Sequence, residues 1–403
     1  AIERLFEEFL GALEMQSQPN LKAGVLLGGF DSALVTAGLV RLGREVETFS
    51  FGYEDSTYDQ PFVEALARYL NIKHHWVRVD KEQIRRGLVT FTDSFNRPTN
   101  WPNYVVSTAA ACREMAAAGI EQAFSGDGCD SVFLGYPGTY QRARVVKQLS
   151  RLPSMLYQRL VSLLARPTLD RRLGHPYRVL LGLLRSQART EAARTYLSLR
   201  ILDEVSLSQL RRDGAPPDRV DVDDLANELA EAHSHLPRYR LAYAGKGAIS
   251  PNKNKMIGSA DVSGLTIWSP YMHESLKAFA ASLPESMMRP EEKTDSAVTG
   301  KYILQRMAVD KGLLPRDIVY QPKVAAVDAP IDDWYASDLL PTLEDKWRSL
   351  PFDVDLEYAR SLVKPKLSER LFRRYVMIDK VISHAASLLA TYGAFAEASR
   401  DQP

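Results

Sequence analysis

Two acidic loops punctuated by glycine are the places where this sequence can do chemistry. The first is Val25-Leu26-Leu27-Gly28-Gly29-Phe30-Asp31-Ser32, an aliphatic run followed by two glycines, an acid and a hydroxyl. An apolar helical pattern follows as far as Leu42. Glycines let backbone amides approach a phosphate, and the free N–H groups and dipole of a helix start favour an anion. Ser32 adds a hydroxyl donor, while Asp31 repels phosphate unless it holds a cation, so it reads as a magnesium ligand. The second loop, Ser125-Gly126-Asp127-Gly128-Cys129-Asp130, follows a short strand at Gln122-Ala123-Phe124. Asp127 and Asp130 are its candidate magnesium ligands. Taken singly, each loop is also an ordinary capped turn into a helix or an Asp-Gly turn. Two of them within one sheet favour the functional reading. Lys301 (in Gly300-Lys301-Tyr302) and Lys323 (in Gln321-Pro322-Lys323) are cations beside turns, suited to neutralising phosphate charge. Phe49-Ser50-Phe51 ends a strand at Gly52, where backbone groups can read an adenine edge.

These groups need a scaffold that brings strand ends together. Helical apolar spacing covers residues 2–14, 33–42 and 60–70, and strands are expected at 46–51 and 75–79. This alternation predicts an α/β fold, a parallel sheet with helices on both faces and ligands beyond the strands' C-terminal ends. Helices are expected at 81–91 and 104–118 and again after Gly300. Residues 142–194 read as helical and basic, with Asp170 and Glu191 their only acids. That stretch is either a solvated face or a docking surface for an acidic substrate, carrier or leader segment. Residues 211–224, with Pro216-Pro217, read as an exposed connector. The expected organisation is an α/β core over residues 1–140 and a helical insertion within the same domain over 141–249. Late core motifs over 250–335 and C-terminal helices over 336–403 complete it.

Composition narrows the class. Of the 403 residues, 45% are hydrophobic and 25% charged, as in a globular protein with a real core. The net charge of +1 argues neither for nor against a polyanionic partner. Two cysteines, Cys112 and Cys129, exclude a disulfide framework and a cysteine-rich zinc site. No apolar run approaches the roughly eighteen residues of a membrane span, so a reducing cytoplasm and no membrane partner are expected.

No Gly-x-x-x-x-Gly-Lys-Ser/Thr occurs, so the first loop is not a Walker A motif. It resembles the Ser-Gly-Gly-x-Asp-Ser loop of the N-type ATP pyrophosphatases, with Leu27 in place of the first Ser. Further motifs in order resemble the synthetase domain of asparagine synthetase. Ser125 to Tyr136 is similar to its Ser-Gly-Asp/Glu-Gly-x-Asp-Glu-x-Phe-Gly-Gly-Tyr. Pro270-Tyr271-Met272 is similar to its Pro-Phe-Leu, and Lys301-Tyr302-Ile303-Leu304 with residues 316–330 to its closing lysine motifs. The resemblance spans residues 1–335 and implies a PP-loop, adenine-nucleotide-hydrolase-like core.

The resemblance also implies a reaction. ATP and a carboxylate give an acyl-adenylate and pyrophosphate, and a nitrogen nucleophile then expels AMP. By family position Gly28, Gly29, Asp31 and Ser32 hold pyrophosphate, Asp130 binds magnesium, and Lys301 and Lys323 neutralise the phosphates. The acceptor half departs from the family. Thr266 stands at the Glu of Gly-Leu-Glu-Ala-Arg-Val-Pro, Trp268 at its Arg, and Ser131 at the Glu after the acidic loop. That Glu is a candidate base for incoming ammonia, and threonine cannot replace it at neutral pH. With no cysteine before Cys112, no glutaminase domain is expected ahead of the fold. Nitrogen then comes from free ammonia, a separate glutaminase or N-terminal chain, or an amine on the substrate.

The expectation is therefore an amide-forming ligase acting on a peptide or specialised carboxylate, of the lactam or macrolactam type. The conservative alternative is an ammonia-dependent asparagine synthetase. A tRNA-modifying enzyme fits less well, since thionucleoside formation generally needs a placed cysteine pair. A degenerate, non-catalytic subunit is the remaining reading.

Overall fold

The computed structural model describes residues 1–53, 60–95, 98–99, 101–135, 153–164, 208–213, 252–289, 300–321, 331–363 and 384–400. It also describes the isolated positions 147–148, 151, 169, 181, 184, 193–194, 227–228 and 231. The described residues form two compact units. One comprises residues 1–96, 102–136 and 251–331, and the other 97–101, 137–250 and 332–403.

The first unit is built on a parallel sheet. Strands β1 (Ala23–Leu26), β2 (Val46–Tyr53), β3 (Lys73–Val79), β4 (Gln122–Ser125) and β5 (Ile267–Trp268) lie in the order β3-β2-β1-β4-β5. All four pairings are parallel. β1, β2 and β4 are buried almost throughout, as central strands covered on both faces must be. β3 sits at an edge and is largely half-buried, which suits its Lys-His-His-Trp-Val-Arg-Val composition. The predicted strands are all present. β5 is an addition from a segment where only the Pro270-Tyr271-Met272 motif is legible, and two residues are too few for a periodic signal.

Helices α1 (Ile2–Gln16), α2 (Phe30–Arg41) and α3 (Gln60–Leu70) precede or connect the first three strands. α4 (Lys81–Val89), α5 (Phe91–Ser94) and α6 (Pro102–Ala117) lead from β3 to β4. Right-handed crossovers place α2 and α3 on one face of the sheet and α4 to α6 on the other. α4 is fixed at its start by a capping box: Gln83 N–H donates to Asp80 Oδ1 at 2.7 Å, and Asp80 N–H donates to Gln83 Oε1 at 2.8 Å. After β4 come α7 (Cys129–Val132), α8 (Ser154–Leu164), which lies in the second unit, and α9 (Asn252–Ser263), which packs along α6. On that face of the sheet Phe49, Met115, Ile120 and Ile267 share one core. α10 (Glu274–Ser282), α11 (Glu285–Met288), α12 (Tyr302–Asp310) and α13 (Arg316–Val319) finish the unit, with α10 and α12 packed on α1.

The second unit includes α14 (Ile331–Ala336, its first residue in the first unit), α15 (Leu340–Arg348), α16 (Leu356–Ser361) and α17 (His384–Arg400). α15 packs on α17, where buried Trp347 donates its indole N–H to Ala386 O at 3.0 Å. The expected basic segment 142–194 lies mostly outside the described residues. Among the described residues no helix is long and apolar enough to cross a membrane.

The first prediction arises on β3. Burial, and then the neighbouring His75, hold the His74 imidazole down at about 4, with Thr48 Oγ1 2.9 Å from its Nδ1. The unfolded side chain protonates near 6.5, so between these values the unfolded state binds more protons. Stability is therefore expected to fall as pH drops from about 6.5 toward about 4. Urea midpoints across that window should decline more steeply for the wild type than for His74→Gln. Parallel declines would refute the assignment.

Candidate active site

The strand order reverses beside β1. The chain runs from β1 outward to β2 and β3, then returns to place β4 on β1's other side. In open α/β sheets such a switch point, beyond the strands' C-terminal ends, is where ligands bind. Both acidic loops leave the sheet there.

The first loop is held by the sheet it leaves. Leu27 N–H donates to Phe49 O at 2.8 Å, and Ser50 Oγ donates to Leu27 O at 2.6 Å. The Leu27 side chain is buried. Ser32 Oγ accepts the N–H groups of Gly28 at 3.0 Å and Gly29 at 3.3 Å and donates to Gly29 O at 3.0 Å. The hydroxyl expected to face phosphate thus also organises the glycine turn. Gly29 caps α2, which puts Asp31 in the helix's first turn. β2 runs on past its last pairing with β1, Leu26 with Phe49, so Ser50 to Tyr53 flank the space above the glycine loop. Phe49 itself is buried and stacks on His75 at 4.3 Å, whereas Phe51 is only partly buried.

The second loop presses on the first. At Gly126 an added Cβ would lie 2.7 Å from Ser32 N, so only glycine permits this approach. Asp130 lies in the first turn of α7 and meets the same cation as Asp31. That cation is Lys301, which caps α12 in a left-handed conformation (φ 62°) and donates its backbone N–H to Phe133 O at 3.0 Å. Its Nζ lies 2.5 Å from Asp31 Oδ1, 2.6 Å from Asp31 Oδ2 and 2.5 Å from Asp130 Oδ1. Burial alone would lower the Lys301 pKa, but Asp130 and Asp31 outweigh it and hold the ammonium well above its ordinary range. Beneath this cluster the Cys129 thiol is pushed up by burial first and by Asp31 next, so it stays protonated.

The structure brings Asp31, Asp130 and Lys301 together and sets Ser32, Gly28, Gly29 and Gly126 around them. Asp127 is in the loop but its carboxylate meets Lys255, a residue sequence reasoning passed over in an Asn-Lys-Asn-Lys run. Tyr271 was legible only as part of a motif. Its hydroxyl donates to Asp31 O at 3.0 Å, tying the turn after β5 to the first loop. Thr266 is not brought to the cluster. It is exposed, just ahead of β5, and its carbonyl accepts Ala123 N–H at 3.3 Å near the start of β4. Trp268, two residues on, shares that exposed side of the strand. Lys323 lies outside the described residues.

The asparagine synthase family matches this chain over residues 4–390. The chain belongs to the asparagine synthase family. A Methanocaldococcus jannaschii relative, named "Putative asparagine synthetase (glutamine-hydrolyzing) 2", is 28% identical over 153 residues. That match takes in 36% of this chain and 28% of the relative, so the chain spans little more than a quarter of that protein's length. NMN synthetase from Francisella tularensis is similar over 34% of this chain and 58% of its own, at 18% identity and a TM-score of 0.25, too slight a likeness to carry an argument.

Family membership, the parallel sheet and the glycine loop at the switch point together give the PP-loop core its place in the fold. The family's magnesium suits the donors present. Asp31 and Asp130 converge on one cationic point, as their shared contact with Lys301 Nζ demonstrates. Among the described residues no cluster of three or more acidic, histidine or cysteine side chains forms a self-sufficient cage. Magnesium commonly takes only one or two carboxylates and completes its shell with phosphate oxygens and water.

Proposed function

We propose that this chain is an ATP-dependent ligase that adenylates a carboxylate, releases pyrophosphate and passes the acyl group to ammonia or an amine. The observation that carries this reading is the convergence of Asp31 and Asp130, from two loops at the switch point, on Lys301. A carboxylate oxygen attacks the α-phosphorus of ATP as the bond to the leaving pyrophosphate breaks. Negative charge grows on that leaving group, and a preorganised ammonium in a site shielded from water stabilises it far better than solvent does. Lys301 is the ammonium in place, Lys323 is the second by family position, and the start of α2 adds its dipole. Magnesium held by Asp31 and Asp130 would screen phosphate charge and orient the leaving group. In the second half-reaction the amine nitrogen attacks the acyl carbon, the bond to AMP breaks and the amine loses a proton.

The acceptor side supports a substrate other than free aspartate. General-base assistance is worth about 10²- to 10⁴-fold, and Thr266 at the family's Glu position supplies none. With Trp268 at the Arg position, a doubly charged small acid loses a cationic partner. A larger, less charged carboxylate, such as a peptide closing to a lactam or macrolactam, is the better candidate. Aspartate, ATP and saturating ammonium are therefore expected to give little or no asparagine by mass spectrometry. Exchange of labelled pyrophosphate into ATP should appear with larger acids or peptides from a panel. Efficient asparagine formation would instead establish the ammonia-dependent synthetase. No exchange with any acid would count against the ligase.

A further inference from the structure

On residue type alone Asp127 is as good a magnesium or phosphate ligand as Asp130. The structure gives its charge a partner of its own. Lys255 on α9 brings its ammonium to 2.5 Å from Asp127 Oδ2, and the two side chains are only 4% and 9% exposed. Tyr104 on α6 closes the other side, with its hydroxyl 3.3 Å and its ring centroid 4.7 Å from Lys255 Nζ. Phe51, at the end of β2, meets that ring edge-on at 5.6 Å. Burial by itself would lower the Lys255 pKa, but Asp127 and Tyr104 reverse this and keep the lysine charged. Asp127 is held by its backbone too: its carbonyl accepts Ser269 Oγ at 2.6 Å, and its N–H reaches Ser125 Oγ at 3.4 Å.

Asp127 and Lys255 neutralise each other one to one in a buried pair, so a second cation on Asp127 would strand the ammonium, whereas Asp31 and Asp130 are two carboxylates sharing the one ammonium of Lys301. We propose that Lys255 is a positioning residue that withdraws Asp127 from the cation site and, through it, fixes the loop carrying Asp130. Through Tyr104 the same lysine ties that loop to Phe51, where the base of ATP is expected. This refines the ATP-dependent reading and rests on it: each loop contributes one carboxylate to metal and phosphate, Asp31 from the first and Asp130 from the second.

Manganese with ATP is the probe, followed by water-proton relaxation enhancement, which senses the metal on the protein, and by calorimetric titration. If the wild type binds no Mn–ATP, the ATP-dependent reading falls and this proposal with it. Given binding, Lys255→Met should weaken Mn–ATP affinity by about 10- to 100-fold, the usual effect of removing a group that orients a metal ligand. In Asp127→Asn with Lys255→Met neither charge is left alone, and affinity should return to within about threefold of wild type, a coupling that independent sites do not show. A substitution that merely loosened the fold would not be rescued by a second one. The opposite pattern overturns the proposal: if Asp127 is a ligand, Lys255→Met frees it and tightens manganese, while Asp127→Asn and the double variant both lose it. Should Lys255→Met fail to fold, the double variant decides the matter: affinity within about threefold of wild type supports the proposal, and its loss refutes it.

Discussion

Lys301→Met is expected to lose about 10²- to 10³-fold in ATP–pyrophosphate exchange, the range for removing one preorganised charge-stabilising donor, while the protein still folds. Folding should survive because the backbone is undisturbed. Lys301 is already left-handed (φ 62°), and methionine in that position meets the same penalty as lysine. What changes is electrostatic. Asp31 and Asp130 keep their places in α2 and α7 but lose the cation both contact. Added magnesium can relieve their repulsion, yet it cannot supply the ammonium that balances charge growing on the leaving phosphates. Raising magnesium should therefore leave most of the deficit uncorrected. Exchange at wild-type rate in a folded Lys301→Met protein would remove Lys301 from the chemistry.

A paired substitution should separate the geometry of the site from the stability of its frame. Gly135→Ala would set a methyl group 2.0 Å from Asp130 Oδ1 and 2.2 Å from Lys301 Cε. Both neighbours are ends of side chains that can swing away, so the fold should tolerate the change while the Asp130–Lys301 contact opens. Displacements of about 1 Å at a reacting centre cost on the order of 10²-fold, and exchange should fall by that amount with little change in melting temperature. Gly300→Ala behaves differently. Its methyl would lie 2.1 Å from Leu134 O, and Gly300 has φ 149°, which side-chain-bearing residues rarely adopt. Backbone cannot swing aside, so strain of about 1–3 kcal/mol is expected, and it should lower the melting temperature by several degrees. Thermal melts and exchange rates on the two variants check this. If Gly135→Ala proves the destabilised variant and Gly300→Ala the merely inactive one, the packing argument is wrong.

The two families of residues differ in how they could be found. Gly28, Gly29, Asp31, Ser32 and Asp130 belong to local patterns, in which a strand, a glycine turn and a helix start follow within a few residues. The chemistry proposed for them depends on neighbours in sequence, so their types and spacing mark them as candidates. Lys301 was legible as a cation beside a turn, but its meeting with both acids was not, because the three come from loops far apart in the chain. Lys255 shows the limit more sharply. In sequence it is one of two lysines among asparagines, with the appearance of a solvated surface. Only the packing of α9 along α6 buries it against Asp127 and Tyr104.

By itself the sequence determined the α/β class, the four longer strands, the helices between them, the two glycine-punctuated acidic loops and the family motifs. Each of these rests on local periodicity or on contiguous residues. Tertiary structure alone decided that β4 lies beside β1, so that the two loops meet at a switch point. It also added β5 at the far edge and assigned Asp130 to Lys301 but Asp127 to Lys255. It left Thr266 exposed just ahead of β5, apart from the acidic cluster. The physical reason is common to all of these. Charge pairing and burial are set by distance in space, and a chain that folds back between distant segments leaves no local pattern from which that distance can be read.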